Sequence, residues 1–200
     1  FIALILALVV CGAVIVALVK LNPVDVYKAI WDGAMGSERR LWQTIRDTMV
    51  LLCISIGLAP AFKMKFWNIG AEGQVLMGAL STAIVMVNFS TLSTPLLFTF
   101  MIVSSVVMGA IWGLIPAIFK AKWNVNETLF TLMMNYVAMQ LVDYYYNIWK
   151  GSKASLGMLN PGTKAGYLPE YNGSSNNIIV TVVLIITVLM YIYLKKEMLQ

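Results

Sequence analysis

The stretch Phe66-Trp67-Asn68-Ile69-Gly70-Ala71-Glu72-Gly73-Gln74 is short, polar and glycine-rich, and it lies between two apolar segments long enough to reach lipid. Asn68, Glu72 and Gln74 carry hydrogen-bonding groups whose burial in hydrocarbon costs several kcal/mol each without partners. Gly70 and Gly73 remove side-chain bulk and free the backbone for turns or close helix approach. Two readings of the stretch stand open. It is either an ordinary helix connection with a polar cap, or a break between discontinuous helices at membrane depth, which is tolerated where protein or a cavity covers it.

Composition settles the surroundings. The 200 residues are 60% hydrophobic and 12% charged, against roughly 25% charged in soluble domains. With a mean hydropathy of +0.81, the chain reads as an all-α, polytopic membrane helix bundle. No linker, charge block or short-period repeat divides it, so residues 1–200 read as one membrane domain. The net charge is +5, and most Lys and Arg flank apolar runs, where they act as topology determinants rather than as a nucleic-acid surface. The chain has no histidine, which removes the commonest catalytic base and zinc ligand. Cys11 and Cys53 sit inside apolar runs and form neither a disulfide framework nor a metal site. Phe1 already lies inside a hydrophobic run and Gln200 follows a helix-end Lys-Lys pair, so both ends read as cuts in a longer polypeptide.

Six spans follow in order. Residues 1–19 form the first, since a signal peptide would show a basic start and an A-x-A-like end. Residues 20–47 carry both charge signs, Pro23 and a turn region at 33–36, and their apolar spacing predicts one or two short surface helices. The second span, 48–62, is short and holds Pro60, which predicts a kink or an end. Spans at 75–89, 96–119, 128–149 and 177–194 complete the count, with residues 150–176 as a Gly/Ser/Asn/Pro-rich loop. Strict alternation places 63–74, 120–127 and 195–200 on one side with six Lys and three acids. The other side holds eight basic residues and six acids, spread through two longer loops with Asp143, near the end of the fifth span, counted to it. Density near helix ends favours the short loops as cytoplasmic.

Asn126-Glu127-Thr128 reads first as a helix start, with an Asn cap and an acid in the first turn. Glu127, Thr131 and Asn135 are spaced by four and share one helical stripe. A polar stripe in a spanning helix must face protein or water, so it either lines a transport path or bonds helices together. Gly109–Gly113 matches the small-xxx-small packing pattern. Tyr144-Tyr145-Tyr146 with Trp149 reads as an interfacial aromatic belt, and Asn172-Gly173-Ser174 fits a short glycosylation pattern. No phosphate-binding loop and no hydrolase constellation is present, so the chain is not read as an enzyme, and no cofactor is expected.

These residues carry a resemblance. Phe66–Gln74 followed by Gly78-Ala79 resembles the hallmark of the bacterial ABC-transporter permeases for simple sugars and nucleosides, relatives of the branched-chain amino acid permeases. Pro116 through Tyr136, with Asn124-Val125-Asn126-Glu127 and Thr131-Leu132-Met133-Met134-Asn135-Tyr136 at its heart, resembles the family's second characteristic segment. Both stretches fall in the family's order, and together with the span pattern the resemblance covers most of the chain. It implies an importer's membrane subunit of the nucleoside-uptake subset, with a purine nucleoside such as guanosine favoured over a simple sugar. It also implies as partners a cytoplasmic ATPase, a second permease subunit, an extracytoplasmic substrate-binding lipoprotein and membrane lipid. ATP would be hydrolysed on the ATPase.

On this resemblance the protein is a multi-pass protein of the bacterial plasma membrane. Residues 63–74 and 120–127 face the cytoplasm, and 20–47 and 150–176 lie outside. Glu127, Thr131 and Asn135 become candidates to line or brace the path, and Asn68, Gly70, Glu72, Gly73 and Gln74 form the broken-helix motif. Trp67 departs from the smaller or aliphatic residue of some relatives, and the loop that docks on the ATPase is expected beyond residue 200. The rival is an ion-coupled transporter or channel acting alone, with Glu72, Glu127 and Asp143 as coupling carboxylates. A purely structural scaffold is the third reading.

Overall fold

A chain whose apolar residues must meet lipid has little reason to bury them, and this one exposes them. In the computed structural model, which describes residues 2–169 and 176–198, only seven hydrophobic side chains are buried among the described residues. Residues such as Leu6, Val106 and Ile185 point outward. Seven helices are described: α1 (Ile2–Val19), α2 (Pro23–Met35), α3 (Glu38–Lys63), α4 (Ala71–Asn88), α5 (Thr94–Trp123), α6 (Glu127–Lys150) and α7 (Asn176–Met198). No strand occurs among the described residues, as the all-α reading expected. The Asn172–Ser174 motif lies outside them.

Four helices are long and apolar enough to cross a bilayer by length and composition: α1, α3, α5 and the Asn177–Lys196 part of α7. α4 and α6 stand at the positions of the third and fifth predicted spans. They fall outside that group because each carries polar residues within its length, Glu72 and Gln74 in one, Asn135, Gln140 and Asp143 in the other. Two boundaries differ from expectation. α3 runs unbroken from Glu38 to Lys63, so the second surface helix is the beginning of a spanning one, and Pro60 sits one turn before its end instead of terminating it. A proline removes one main-chain bond of its helix, and here the last turn still closes, with the Met64 amide donating to the Pro60 carbonyl at 3.1 Å. Likewise α2 continues through Gly33 and stops at Gly36.

The chain divides into two units, residues 1–53 with 171–189, and residues 54–170 with 190–200. In the first, Asn22 caps α2 by accepting from the Val24 amide at 3.0 Å, with Pro23 at the first helical position. Proline suits that position because its missing N–H would have no partner there. The Tyr27 hydroxyl then donates to the Leu8 carbonyl of α1 at 2.6 Å, beside Gly12. Arg40 and Thr44 of α3 donate to the Asp32 and Ala34 carbonyls that end α2.

The second unit is built around α4, which packs on both α5 and α6. Met77, Leu80, Trp112 and Ala138 form its buried apolar cluster. Small residues set the spacing between α4 and α5. A methyl on Gly78 would lie 3.0 Å from the Ser105 hydroxyl, and one on Gly113 would overlap the Gln74 amide. The 151–169 segment, non-helical as expected, is tied down by Asn160, which donates to the Met86 carbonyl near the end of α4 at 2.7 Å.

Candidate functional site

The first turn of any helix has amide groups with no intrahelical acceptor. α4 starts at Ala71 after a non-helical segment, and its N-cap position is Gly70, which has no side chain to offer. The missing acceptors come from α6. The Gly73 amide donates to Asn135 Oδ1 at 2.8 Å, and the Ile69 amide donates to Thr131 Oγ1 at 3.2 Å. Asn135 Nδ2 returns a bond to the Ile69 carbonyl at 3.1 Å. One carboxamide thus holds a donor and an acceptor of the strand of chain entering α4, and those two partners set which way the amide faces. Asn68 completes the turn by accepting from the Gly70 amide at 2.9 Å and reaching Gln74 Oε1 at 3.5 Å.

The polar atoms at the centre of this arrangement are sealed. Asn68, Thr131 and Asn135 are 7%, 1% and 5% exposed. The glycines follow from the closeness of the approach. A methyl on Gly70 would stand 2.9 Å from Thr131 Cβ, and one on Gly73 would stand 2.7 Å from Asn135 Oδ1 and 3.1 Å from Trp112 Nε1. Neither gap accepts a side chain without movement. Both glycines serve proximity, since neither has a positive φ.

Glu127 heads the same stripe on α6. Asn126 caps this helix by accepting from the Leu129 amide at 3.1 Å, so the helix-start reading of Asn126-Glu127 holds. Glu127 Oε2 pairs with Lys120 Nζ at 2.9 Å across the α5–α6 corner. The Lys120 ammonium, helped by Glu127's own amide and that of Trp67, holds the carboxyl below the usual carboxylate range against a smaller opposing effect of desolvation.

The structure therefore brings Asn68, Gly70, Gly73 and Gln74 together with Thr131 and Asn135, and ties Glu127 to the corner beside them. Glu72 is not brought in; its side chain is exposed on the outer face of α4. Trp112 is a member that sequence reasoning missed. Its indole N–H is buried beside Gly73 and finds no acceptor among the described residues. The sequence signal was the flanking Gly109 and Gly113, read only as packing. No group of three or more potential metal ligands occurs among the described residues.

Residues 41–197 match the family described as branched-chain amino acid transport system / permease component. The chain belongs to that family. Together with its apolar helices, membership makes it an integral, multi-pass membrane protein. It is 37% identical over 138 residues to the glucose ABC transporter permease protein TsgB13 of Haloferax volcanii, covering 69% of this chain and 36% of the relative. Identity to the guanosine ABC transporter permease protein NupP of Bacillus subtilis is 33% over 146 residues, 72% of this chain and 40% of the relative. For the nucleoside ABC transporter permease protein NupB of Lactococcus lactis subsp. cremoris it is 30% over 128 residues, covering 64% and 35%. The chain thus spans two fifths or less of the length of these relatives. No solved structure matches it.

Proposed function

We propose that this chain forms the core of the membrane subunit of an ATP-driven importer for a nucleoside or simple sugar. The observation that carries the reading is the buried tie between Asn68–Gly73 and Thr131/Asn135, which joins the two family-like segments into one structural element. Relatives named for glucose, guanosine and nucleosides agree on a solute bearing a hydroxylated sugar ring, and they leave guanosine and glucose both in play. On this reading Thr131 and Asn135 brace the path, because their polar atoms are engaged by main chain and closed to solute. Gly70 and Gly73 permit the brace, and α4 and α6 cross the membrane as helices sheltered by protein or water. The 63–74 and 120–127 segments face the cytoplasm, and 20–47 and 150–176 lie outside.

The partners are a separate ATPase, a second permease subunit and an extracytoplasmic binding lipoprotein. The chain itself performs no chemistry, because the energy is released on the ATPase. The test is uptake of labelled guanosine and glucose into vesicles holding the full-length permease with its neighbouring subunits. Uptake should require hydrolysable ATP and vanish when the ATPase is inactivated. Uptake driven by an ion gradient with the ATPase inactive would instead establish the ion-coupled carrier.

A further inference from the structure

α6 has a second polar face that the tie to α4 does not use. At about 100° per residue, Tyr136, Gln140, Asp143 and Asn147 fall within an arc of roughly 60°. Thr131, Asn135 and Ala138, the buried residues of this helix, occupy the opposite side. All four residues of the second stripe are exposed, Tyr136 by 62%. Gln140 stands at the middle of the 24-residue helix, where neither end is within a side chain's reach. The helix is about 36 Å long, enough to cross a hydrocarbon core of about 30 Å. An amide at mid-depth and a carboxylate two turns before the end of the helix are not left facing acyl chains, so this face must meet water or other protein.

The chemistry of the stripe distinguishes these. A protein interface in a membrane uses small residues that let helices approach closely, or polar side chains bonded across helices as Asn135 is. This stripe has no small residue, and its one side-chain bond, Asn147 to the Asp143 carbonyl, stays within α6. Gln140 offers both a donor and acceptors, and Asp143 offers two acceptor oxygens able to take a pair of vicinal hydroxyls. Asn147 donates its amide to the Asp143 carbonyl at 2.8 Å, which leaves its side-chain oxygen as an acceptor. Tyr136 adds a flat ring of the kind that stacks on a sugar ring or base. We propose that Tyr136, Gln140 and Asp143 line a water-filled path and make transient hydrogen bonds and stacking contacts with the hydroxylated ring of the transported solute, on the face of α6 opposite the brace. This rests on the importer reading and assigns the solute-facing side chains that it lacks.

The test is water accessibility in the membrane. In the full-length permease assembled with its partner subunits in sealed vesicles, every cysteine, Cys11 and Cys53 among them, is replaced by serine. Single cysteines are then placed at Tyr136, Gln140 or Asp143, with Val103→Cys and Val106→Cys on the apolar outer face of α5 as lipid-facing references. A charged, membrane-impermeant thiol reagent should modify Gln140→Cys at least tenfold faster than Val106→Cys, and guanosine or glucose should slow the reaction severalfold. Labelling no faster than at Val106→Cys overturns the proposal. So does labelling in the isolated subunit that disappears on assembly without solute, which marks the face as a protein contact. Fast labelling that neither solute slows overturns the assignment to the solute. Uptake by the cysteine-free parent is measured alongside. If the parent moves neither solute with ATP, the importer reading fails, whereas the labelling pattern still reports whether the stripe meets water.

Discussion

The two faces of α6 carry similar residues and treat them in opposite ways. On one, Asn135 bonds the main chain at the start of α4, and Thr131 accepts from the Ile69 amide while its hydroxyl donates to the Thr128 carbonyl of α6. On the other, Gln140 and Asp143 have their polar groups in the open. In a membrane helix both patterns exclude lipid, but for different reasons. A satisfied, sealed network fixes one arrangement of helices, while an unsatisfied, open one must be covered by water or other protein. Residue type does not separate a tie between helices from an open face here; the partner of each polar atom does.

The comparison is broken most easily at Asn135. Asn135→Leu leaves the Gly73 amide and the Ile69 carbonyl buried without partners, at about 1–3 kcal/mol for each group. The expected outcome is a large drop in thermal stability of the detergent-solubilised protein, with uptake lost in proportion to folded protein. Gln140→Leu should do the reverse, leaving stability within about 0.5 kcal/mol, as surface substitutions usually do, while uptake falls. Equal melting curves for the two variants would erase the distinction between the faces.

Next in size is Gly73→Ala. The added methyl meets Asn135 Oδ1 and the Trp112 ring nitrogen at distances that neither can yield cheaply, and overpacking of this kind costs about 1–3 kcal/mol. Thermal unfolding should show it, and the loss should not add to that of Asn135→Leu in the double variant, because the leucine has already displaced the amide. Full additivity would mean that the two residues do not share one contact. Thr131→Val, which keeps shape and removes the hydroxyl that accepts from the Ile69 amide and donates to the Thr128 carbonyl, should cost about 1 kcal/mol or somewhat more. Denaturant titration of the same detergent complex would measure it.

Much of this was open to reading in the residues. The apolar runs gave all the long helices, and spacing by four put Glu127, Thr131 and Asn135 on one stripe. Whether the polar atoms of Thr131 and Asn135 meet main chain was not readable, because it depends on where the Ile69 and Gly73 main chain goes, 62 to 66 residues away in sequence. Pro60 announced a kink or an end, and the helix runs only three residues past it, to Lys63; where it stops depends on bonds such as that from the Met64 amide to the Pro60 carbonyl, which local sequence does not show. Trp112 was hidden because the flanking Gly109 and Gly113 announce close packing but not that the indole meets Gly73. Gln140 and Asp143 stand out singly in an apolar run, and sequence reasoning did not join them into a second stripe. Its meaning depended on knowing that the opposite face was already occupied.

The smallest expected effect concerns the head of the buried stripe. Glu127 is paired with Lys120 and its carboxyl is held below the ordinary value of 4.5. A group whose folded value is lowered contributes stability that is present above its unfolded value and is lost as pH falls through the folded one. The wild-type protein should therefore keep the contribution of this pair at neutral pH and lose it only in acid, below about pH 4.5. Glu127→Gln should show no such loss from this position. Because the lysine is partly exposed, salt screens the pair, so the difference between the two proteins should narrow at high ionic strength, unlike that of Asn135→Leu, which depends on buried neutral groups. Melting curves at neutral and acid pH, in low and high salt, distinguish the two kinds of contact. A salt-insensitive Glu127→Gln effect as large as that of Asn135→Leu would place Glu127 inside the brace, and the boundary between the sealed stripe and the corner would have to move one turn toward the start of the helix.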